Sequence, residues 1–192
     1  MDDGRYVLKN ARHLAADVMR RALRPGDVAV DATMGNGHDT LFLAELVGET
    51  GHVYAFDVQP EAVSRTRERL EAAGLLDRVT LCLAGHETMA ERVAQGPQAI
   101  MFNLGWLPGA AHAITTQTQT TLRAVSAACD LLAPGGVLTV CIYPGHEEGT
   151  RELKALTDFA AALSNRTYNA LWHRFANASP DAPQMLLVQR NP

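Results

Sequence analysis

Two acidic residues and two glycines in the first third of the chain have the spacing of a nucleotide-cofactor site. Asp31 ends an apolar run, Gly35 and Gly37 follow in a turn of small residues, and Asp57 ends the next apolar run. Glycine lets the backbone approach a ligand closely, and the amides that open the following helix can hold an anionic group. A carboxylate ending the second run suits the two hydroxyls of a ribose. We therefore predict a nucleotide-type cofactor bound by residues 28–57.

A second candidate site lies in the segment FNLGWLP. Asn103 leaves an apolar run and is followed by Leu104, Gly105, Trp106 and Pro108. An amide oxygen can accept a hydrogen bond from an amine, and an aromatic ring can stack on the base that carries the amine. The segment resembles the N-P-P-Y motif of S-adenosylmethionine-dependent amino methyltransferases, which implies that Asn103 orients an acceptor nitrogen. The structural alternatives are a turn-capping asparagine and a tryptophan that packs in the core.

The elements that position these residues alternate along the chain. Short apolar runs predict strands, and amphipathic segments between them predict helices. The predicted strands cover residues 28–33, 52–58, 79–84, 99–104, 137–143, 167–176 and 184–190. The predicted helices cover residues 10–24, 39–47, 60–73, 87–94, 115–132 and 147–163. This alternation predicts a parallel sheet with right-handed crossovers, and the short linker SPDAP makes the last two strands an antiparallel hairpin.

The length of 192 residues and a hydrophobic content of 47% suit one domain with a sizeable core. We predict an α/β fold, a doubly wound Rossmann-like sheet of seven strands over residues 1–192, with residues 1–26 as an N-terminal helical extension. No apolar stretch could span a bilayer, and the N-terminus is too polar for a secretory signal, so we expect a cytoplasmic protein with no membrane partner. Cys82, Cys129 and Cys141 form no CxxC pair and are predicted to pack in the core.

Polar residues follow the predicted strands at the edge where such a sheet binds its ligands. Among them are four of the seven histidines: His38, His86, His112 and His146. No pair of them has the helical spacing of metal ligands, so we expect no metal. A net charge of −4 argues against a protein that coats nucleic acid broadly. The segment before Pro25 is nevertheless basic, and its arginines form either a local contact for a polyanion or a solvated helix face.

Six motifs in the same order resemble those of a small bacterial family labelled rRNA methylase, whose members are assigned as tRNA 5-aminomethyl-2-thiouridine methyltransferases. They are DATMGNGHDT, FDVQ, MFNLGWLPG, TTLRA, LLAPGG and YPGHEEG. The resemblance covers roughly residues 10–190. It implies a class I methyltransferase fold, S-adenosylmethionine as methyl donor, and the aminomethyl nitrogen of a tRNA wobble uridine as acceptor. The implied partner is therefore tRNA, bound through its anticodon loop, with either a monomer or a homodimer as the assembly.

The resemblance also implies roles for individual residues. In the usual D-x-G-x-G-x-G turn, Thr33 stands in place of the first glycine. The implied cofactor-binding residues are Asp31, Thr33, Gly35, Asn36, Gly37, Asp39, Thr40, Asp57, Gln59 and His86. Within this set, Asp31, Asn36 and Asp39 are expected at the methionine amino group. Asp57 and Gln59 are expected at the ribose.

Two predicted roles have alternatives. His86 is either an adenine contact or an exposed loop histidine. The implied substrate residues are Leu104, Gly105, Trp106 and Pro108, with Asn103, Tyr143 and His146 as catalytic residues. Tyr143 or His146 would help the acceptor amine to lose its proton, and loss to bulk water before binding is an equally good account.

Other functions fit parts of the pattern. A methyltransferase that acts on rRNA, or one that acts on a small molecule, would use the same methyl donor. A nicotinamide-dependent oxidoreductase would use the same glycine turn and Asp57, but Thr40 stands where its third glycine is usual. A non-catalytic RNA-binding module would keep the fold alone, which the presence of both Asp57 and Asn103 argues against.

Overall fold

The computed structural model describes residues 7–94, 96–105 and 115–192, and the predictions for Trp106, Pro108 and His112 lie outside these ranges. The strands are β1 (Val28–Asp31), β2 (His52–Asp57), β3 (Val79–Leu83), β4 (Ala99–Asn103), β5 (Val137–Ile142), β6 (Tyr168–His173) and β7 (Gln184–Arg190). The α-helices are α1 (Ala11–Ala22), α2 (His38–Val47), α3 (Pro60–Ala73), α4 (Thr118–Leu131) and α5 (Glu147–Ala162). Two 3-10 helices cover Leu76–Arg78 and His86–Glu91.

The seven strands form one sheet in the order β3-β2-β1-β4-β5-β7-β6. Strands β1 to β5 are parallel to one another, and β7 is antiparallel to both β5 and β6. The doubly wound, seven-stranded prediction with an antiparallel C-terminal hairpin is therefore confirmed. The strand order reverses between β1 and β4, and the crevice above such a point is where open α/β sheets bind ligands.

Both faces of the sheet are covered, as the apolar runs require. Side chains alternate along β5, so that Leu138 and Val140 pack with α4 and α5 on one face while Val137 and Cys141 join the cluster on the other. That second cluster includes Ala11, Ala15 and Met19 of α1, together with residues of α2 and α3. Helix α1 is thus an integral layer of the core.

The predicted helix over residues 87–94 is a 3-10 helix of six residues instead. Its buried side chains are His86 and Met89, and 3-10 geometry is common in helical pieces as short as this one. The three cysteines are free and buried, as predicted. Within the described ranges, no helix is both long and apolar enough to span a membrane.

Candidate functional site

A cleft of about 860 Å³ opens at the carboxyl ends of β1, β2, β4 and β5. It brings together most of the site residues predicted from the sequence. Those that line it are Thr33, Gly35, Asn36, Asp39, Asp57, Gln59, His86, Asn103, Leu104, Gly105, Tyr143 and His146. Residues from several separate sequence motifs therefore line one cavity. The cavity is large enough for a nucleotide-sized ligand.

The carboxylate of Asp57 is held by two backbone amides. The Gly35 N–H donates to Oδ2 at 3.1 Å, and the Gln59 N–H donates to Oδ1 at 3.0 Å. A carboxylate has about four acceptor positions, so each oxygen keeps one for a further donor. The side chain is therefore fixed in place with acceptors left for the two hydroxyls of a ribose, which fits the nucleoside part of S-adenosylmethionine.

The glycine turn between β1 and α2 packs against α3. Gly37 has a φ of +77°, and a Cβ at this position would lie 2.8 Å from Thr66 Oγ1 and 2.9 Å from Thr66 Cα. The Thr66 hydroxyl donates to the Gly35 carbonyl at 3.2 Å. Gly37 does not line the cleft. Its lack of a side chain lets α3 approach the turn, and this approach sets the position of the Gly35 amide that holds Asp57.

Asp31 and Thr40 lie beneath the cleft and do not line it. The Thr40 hydroxyl donates to Asp31 Oδ2 at 2.6 Å, and the Thr33 N–H donates to Oδ1 at 3.1 Å. Burial, and then the charge of Asp39, raise the pKa of Asp31 to about 7. Asp31 and Thr40 thus stabilise the turn between β1 and α2. Contact of Asp31 with a methionine amino group stays a prediction.

Asn103 is held by Asp39 in one orientation. Its Nδ2 amide donates to Asp39 Oδ2, and Arg12 of α1 donates to Asp39 Oδ1 at 3.5 Å. A carboxylate can only accept, so the NH₂ end of the amide must face Asp39 and the Oδ1 end must face the other way. Oδ1 is buried and accepts no hydrogen bond from the described residues. The site therefore presents a fixed acceptor that a hydrogen-bond donor on a bound molecule would satisfy.

The turn after β4 is tied to the segment before α4. The Gly105 N–H donates to Thr116 Oγ1 at 2.9 Å, and the Thr116 N–H donates back to the Gly105 carbonyl at 3.0 Å. Gly105 has a φ of +116°, which only glycine adopts without strain. These two hydrogen bonds join Gly105 to Thr116 and hold Leu104 and Gly105 at the cleft.

The start of α4 is a part of the cleft that sequence reasoning missed. Thr115, Thr116, Gln117 and Thr120 line the cavity, and α5 holds this segment through two carboxylates. Glu148 accepts from the backbone N–H and the hydroxyl of Thr118, both at 2.7 Å, and Glu152 accepts from the Thr121 hydroxyl at 2.7 Å. The available signal was the polar run TTQTQTT at the start of a helix.

Tyr143 and His146 lie where β5 leads into α5. Burial raises the pKa of the Tyr143 phenol to about 12, so the phenol is a neutral donor at physiological pH. His146 caps α5, because its Nδ1 accepts the Gly149 N–H at 3.1 Å. A neutral ring that accepts through Nδ1 carries its proton on Nε2. Both groups can thus donate a hydrogen bond, and a part for either of them in removing a proton stays a prediction.

His86 begins the 3-10 helix after β3 and is buried against the Phe102 ring, with centroids 5.5 Å apart. Its Nδ1 lies 3.3 Å from the Ala32 carbonyl, which can only accept, so this nitrogen carries the proton. Burial lowers the pKa of the ring and keeps it neutral. The buried position excludes the exposed-loop alternative, and contact with adenine stays a prediction.

Among the described basic residues before Pro25, only Arg12 lines the cleft. Arg20 pairs with Asp17 at 3.0 Å and lies over the Phe42 ring at 4.9 Å. Arg24 donates to the carbonyls of Arg21 and Leu23. Arg12 itself pairs with Asp39, so three of the four candidate arginines are engaged within the protein; the four are Arg12, Arg20, Arg21 and Arg24.

Known proteins resemble this chain over most of its length. A chloroplastic tRNA (mnm(5)s(2)U34)-methyltransferase from Arabidopsis thaliana is 38% identical over 165 residues, which are 81% of this chain and 60% of that protein. The chain thus spans about three fifths of this relative. A putative rRNA-methylase from Clostridium thermocellum is 37% identical with a TM-score of 0.94, over 96% of this chain and 100% of the other.

A putative methyltransferase from Streptococcus mutans, solved in complex with SAH, is 34% identical with a TM-score of 0.87, over 96% of this chain and 99% of the other. SAH is the demethylated product of the cofactor predicted from the motifs, and this finding supports that prediction. The family model described as Putative rRNA methylase matches residues 53–189. These findings confirm the resemblance seen in the motifs: the chain belongs to the rRNA methylase family and has its class I methyltransferase fold.

Proposed function

We propose that this chain is an S-adenosylmethionine-dependent methyltransferase that acts on RNA. The proposal is supported by membership of the rRNA methylase family and by the likeness to a chain solved with SAH. Asp57, with Gln59 beside it, would hold the ribose, and His86 would meet the adenine. Asp39 and Asn36 would receive the methionine amino group. The bound cofactor supplies an electrophilic methyl group on a sulfonium, and the residues of the chain orient the acceptor toward it.

The proposed acceptor is the aminomethyl nitrogen of 5-aminomethyl-2-thiouridine at the tRNA wobble position. The single observation that carries this choice is the buried Oδ1 of Asn103, fixed by Asp39 and without a donor among the described residues. An amine bound here would donate an N–H to Oδ1, which aims its lone pair. Orienting two reactants in this way can supply roughly 7–11 kcal/mol of a displacement barrier. The name of the Arabidopsis relative supports the same acceptor.

Asn103, Tyr143 and His146 would act by orientation and hydrogen bonding. An ammonium has no lone pair, so the amine must lose its proton before transfer. Tyr143 stays neutral because of its raised pKa, and His146 uses Nδ1 to cap α5. We therefore assign proton loss to water. Leu104 and Gly105, with Trp106 and Pro108 from the same motif, would receive the base that carries the amine.

Nucleoside mass spectrometry tests this function. Purified protein and S-adenosylmethionine are incubated with tRNA that carries the aminomethyl group, with tRNA that lacks it, and with rRNA. We expect a mass gain of one methyl group on the aminomethyl nucleoside alone. Equal incorporation into both tRNAs, or incorporation into rRNA only, would contradict the acceptor and leave an RNA methyltransferase. Binding of NAD with no binding of S-adenosylmethionine would contradict the methyltransferase itself.

A further inference from the structure

A second cleft, of about 610 Å³, lies beside the cofactor cleft and is lined by one face of α3 and the start of α2. Its polar lining comes from Asn36, His38, Arg65, Glu68 and Arg69. Asn36 and His38 also line the cofactor cleft, so the two cavities share a wall. A ligand that extends out of the cofactor cleft on this side would therefore meet the two arginines.

The two arginines are anchored by neutral groups. Arg69 donates from Nε to the Asn36 carbonyl at 2.8 Å, and its Nη2 lies 3.3 Å from Nε2 of His38. Arg65 donates from Nη1 to Asn36 Oδ1 at 3.0 Å. Among the ion pairs of the described residues, neither arginine has a carboxylate partner. Each guanidinium has five N–H donors, so most of its donors and its full charge are left for a ligand.

The groups around the arginines keep this cleft positive. Burial, and then the charges of Arg69 and Arg12, lower the pKa of His38, whose neutral Nε2 can accept from Arg69. The acidic residue of the lining is Glu68, whose carboxylate accepts from the Ser64 hydroxyl at 3.4 Å. Arg12, on the far side of His38, pairs with Asp39. Two arginines on adjacent turns of α3 thus form an oriented cationic pair.

We propose that this second cleft binds a phosphate of the RNA backbone beside the nucleotide that enters the cofactor cleft. This inference rests on the proposed function, because it assumes an RNA substrate. Guanidinium groups match phosphate oxygens with parallel N–H donors, and RNA carries one phosphate per nucleotide. A nucleotide bound in the cofactor cleft therefore has neighbouring phosphates within a short span of its rim. The cleft is thus a candidate cation site for RNA, in addition to the arginines of the N-terminal segment.

The test compares three variants of the whole protein. Arg65→Gln and the double variant Arg65→Gln/Arg69→Gln remove charge from the second cleft, and Arg67→Gln removes the same charge from an exposed position of α3 outside both clefts. Binding of an unmodified tRNA transcript is measured over a range of salt concentrations. S-adenosylhomocysteine affinity is measured for each variant, because Arg65 and Arg69 both donate to Asn36 of the cofactor loop.

We expect the double variant to bind the transcript about tenfold more weakly than Arg67→Gln at low salt. The slope of log affinity against log salt should become shallower by about 0.7, the value for one phosphate contact on a single strand. Arg65→Gln should show part of this loss, and the loss should persist when the variant is saturated with S-adenosylhomocysteine, which separates the phosphate contact from the hydrogen bond to Asn36. Replacing both arginines with lysine should restore part of the salt dependence, since lysine keeps the charge but not the paired donors.

The possible failures are distinguishable. A wild-type protein that binds S-adenosylhomocysteine but no RNA overturns the proposed RNA substrate and this inference with it. A wild-type protein that binds and methylates tRNA, with a double variant that behaves like Arg67→Gln, overturns the phosphate site alone. An inorganic phosphate titration that competes with the transcript on wild type but not on the double variant supports the site.

Discussion

On the donor side of the cleft, backbone amides of Gly35 and Gln59 hold the carboxylate of Asp57. On the acceptor side, the side chain of Asp39 holds the side chain of Asn103, across 64 positions of sequence. Backbone donors remain in place when neighbouring side chains change, whereas a side-chain pair depends on both partners. The geometry of the donor side therefore depends mainly on the backbone fold. The geometry of the acceptor side depends on the identity of particular side chains.

The rest of the acceptor side follows the same rule. Thr116 closes the turn at Gly105, and Glu148 and Glu152 of α5 hold the start of α4. The two glutamate links join residues 30 and 31 positions apart. We therefore expect substitutions on the acceptor side to change turnover while donor binding persists, and substitutions on the donor side to do the reverse.

We expect the largest effect on turnover from Asn103→Ala. This change removes the oriented acceptor oxygen, so turnover should fall about a hundredfold or more, since misplacing a reacting group by about 1 Å can cost that much. S-adenosylhomocysteine affinity, measured by calorimetry, should be nearly unchanged. That pattern is expected when orientation toward the transition state is lost. Near-normal turnover in the variant would reduce Asn103 to a turn residue.

Asp57→Ala should give the opposite pattern. Hydrogen bonds to a charged group contribute roughly 1.5–3 kcal/mol, so donor affinity should fall about ten- to a hundredfold. Turnover at saturating S-adenosylmethionine should recover to within a few-fold of wild type, because Asp57 does not touch the acceptor side. If turnover stays low at saturation, the two sides of the cleft are coupled and the comparison fails.

Asp39→Asn tests whether the orientation of Asn103 depends on its partner. An asparagine at this position can offer either end of its amide, so the Asn103 amide is free to flip and Arg12 loses its anion. We expect turnover to fall about tenfold, the scale of one hydrogen bond to a charged group, with a smaller loss of donor affinity. The reverse ranking would instead assign Asp39 mainly to the methionine amino group. Arg12→Gln is the matched control on the other side of the carboxylate.

The donor side could be predicted from local sequence, and much of the acceptor side could not. The glycine turn and Asp57 lie within 30 residues, and their elements have clear periodicity. By contrast, the Asp39–Asn103 and Glu148–Thr118 contacts exist only because the sheet order brings β1 beside β4 and α4 beside α5. The second cleft was missed for the same reason, since Arg65 and Arg69 look like a solvated helix face until α2 is placed beside them.

We expect the smallest effect from Tyr143→Phe, and the measurement is the pH profile of activity. Burial raises the pKa of Tyr143 to about 12 in the folded protein, so the phenol stays protonated from about pH 6 to 9 and no limb of the activity profile in that range reports its ionisation. The variant should lose a few-fold in rate, for one neutral hydrogen bond, and keep the shape of its pH profile. The acid limb should instead follow the acceptor amine, which must be deprotonated to react. It should therefore move when an acceptor amine of different basicity is used, and stay fixed when Tyr143 is replaced. An acid limb that disappears in Tyr143→Phe would show that the phenol removes the proton, and the acceptor side would then hold a base as well as an orienting amide.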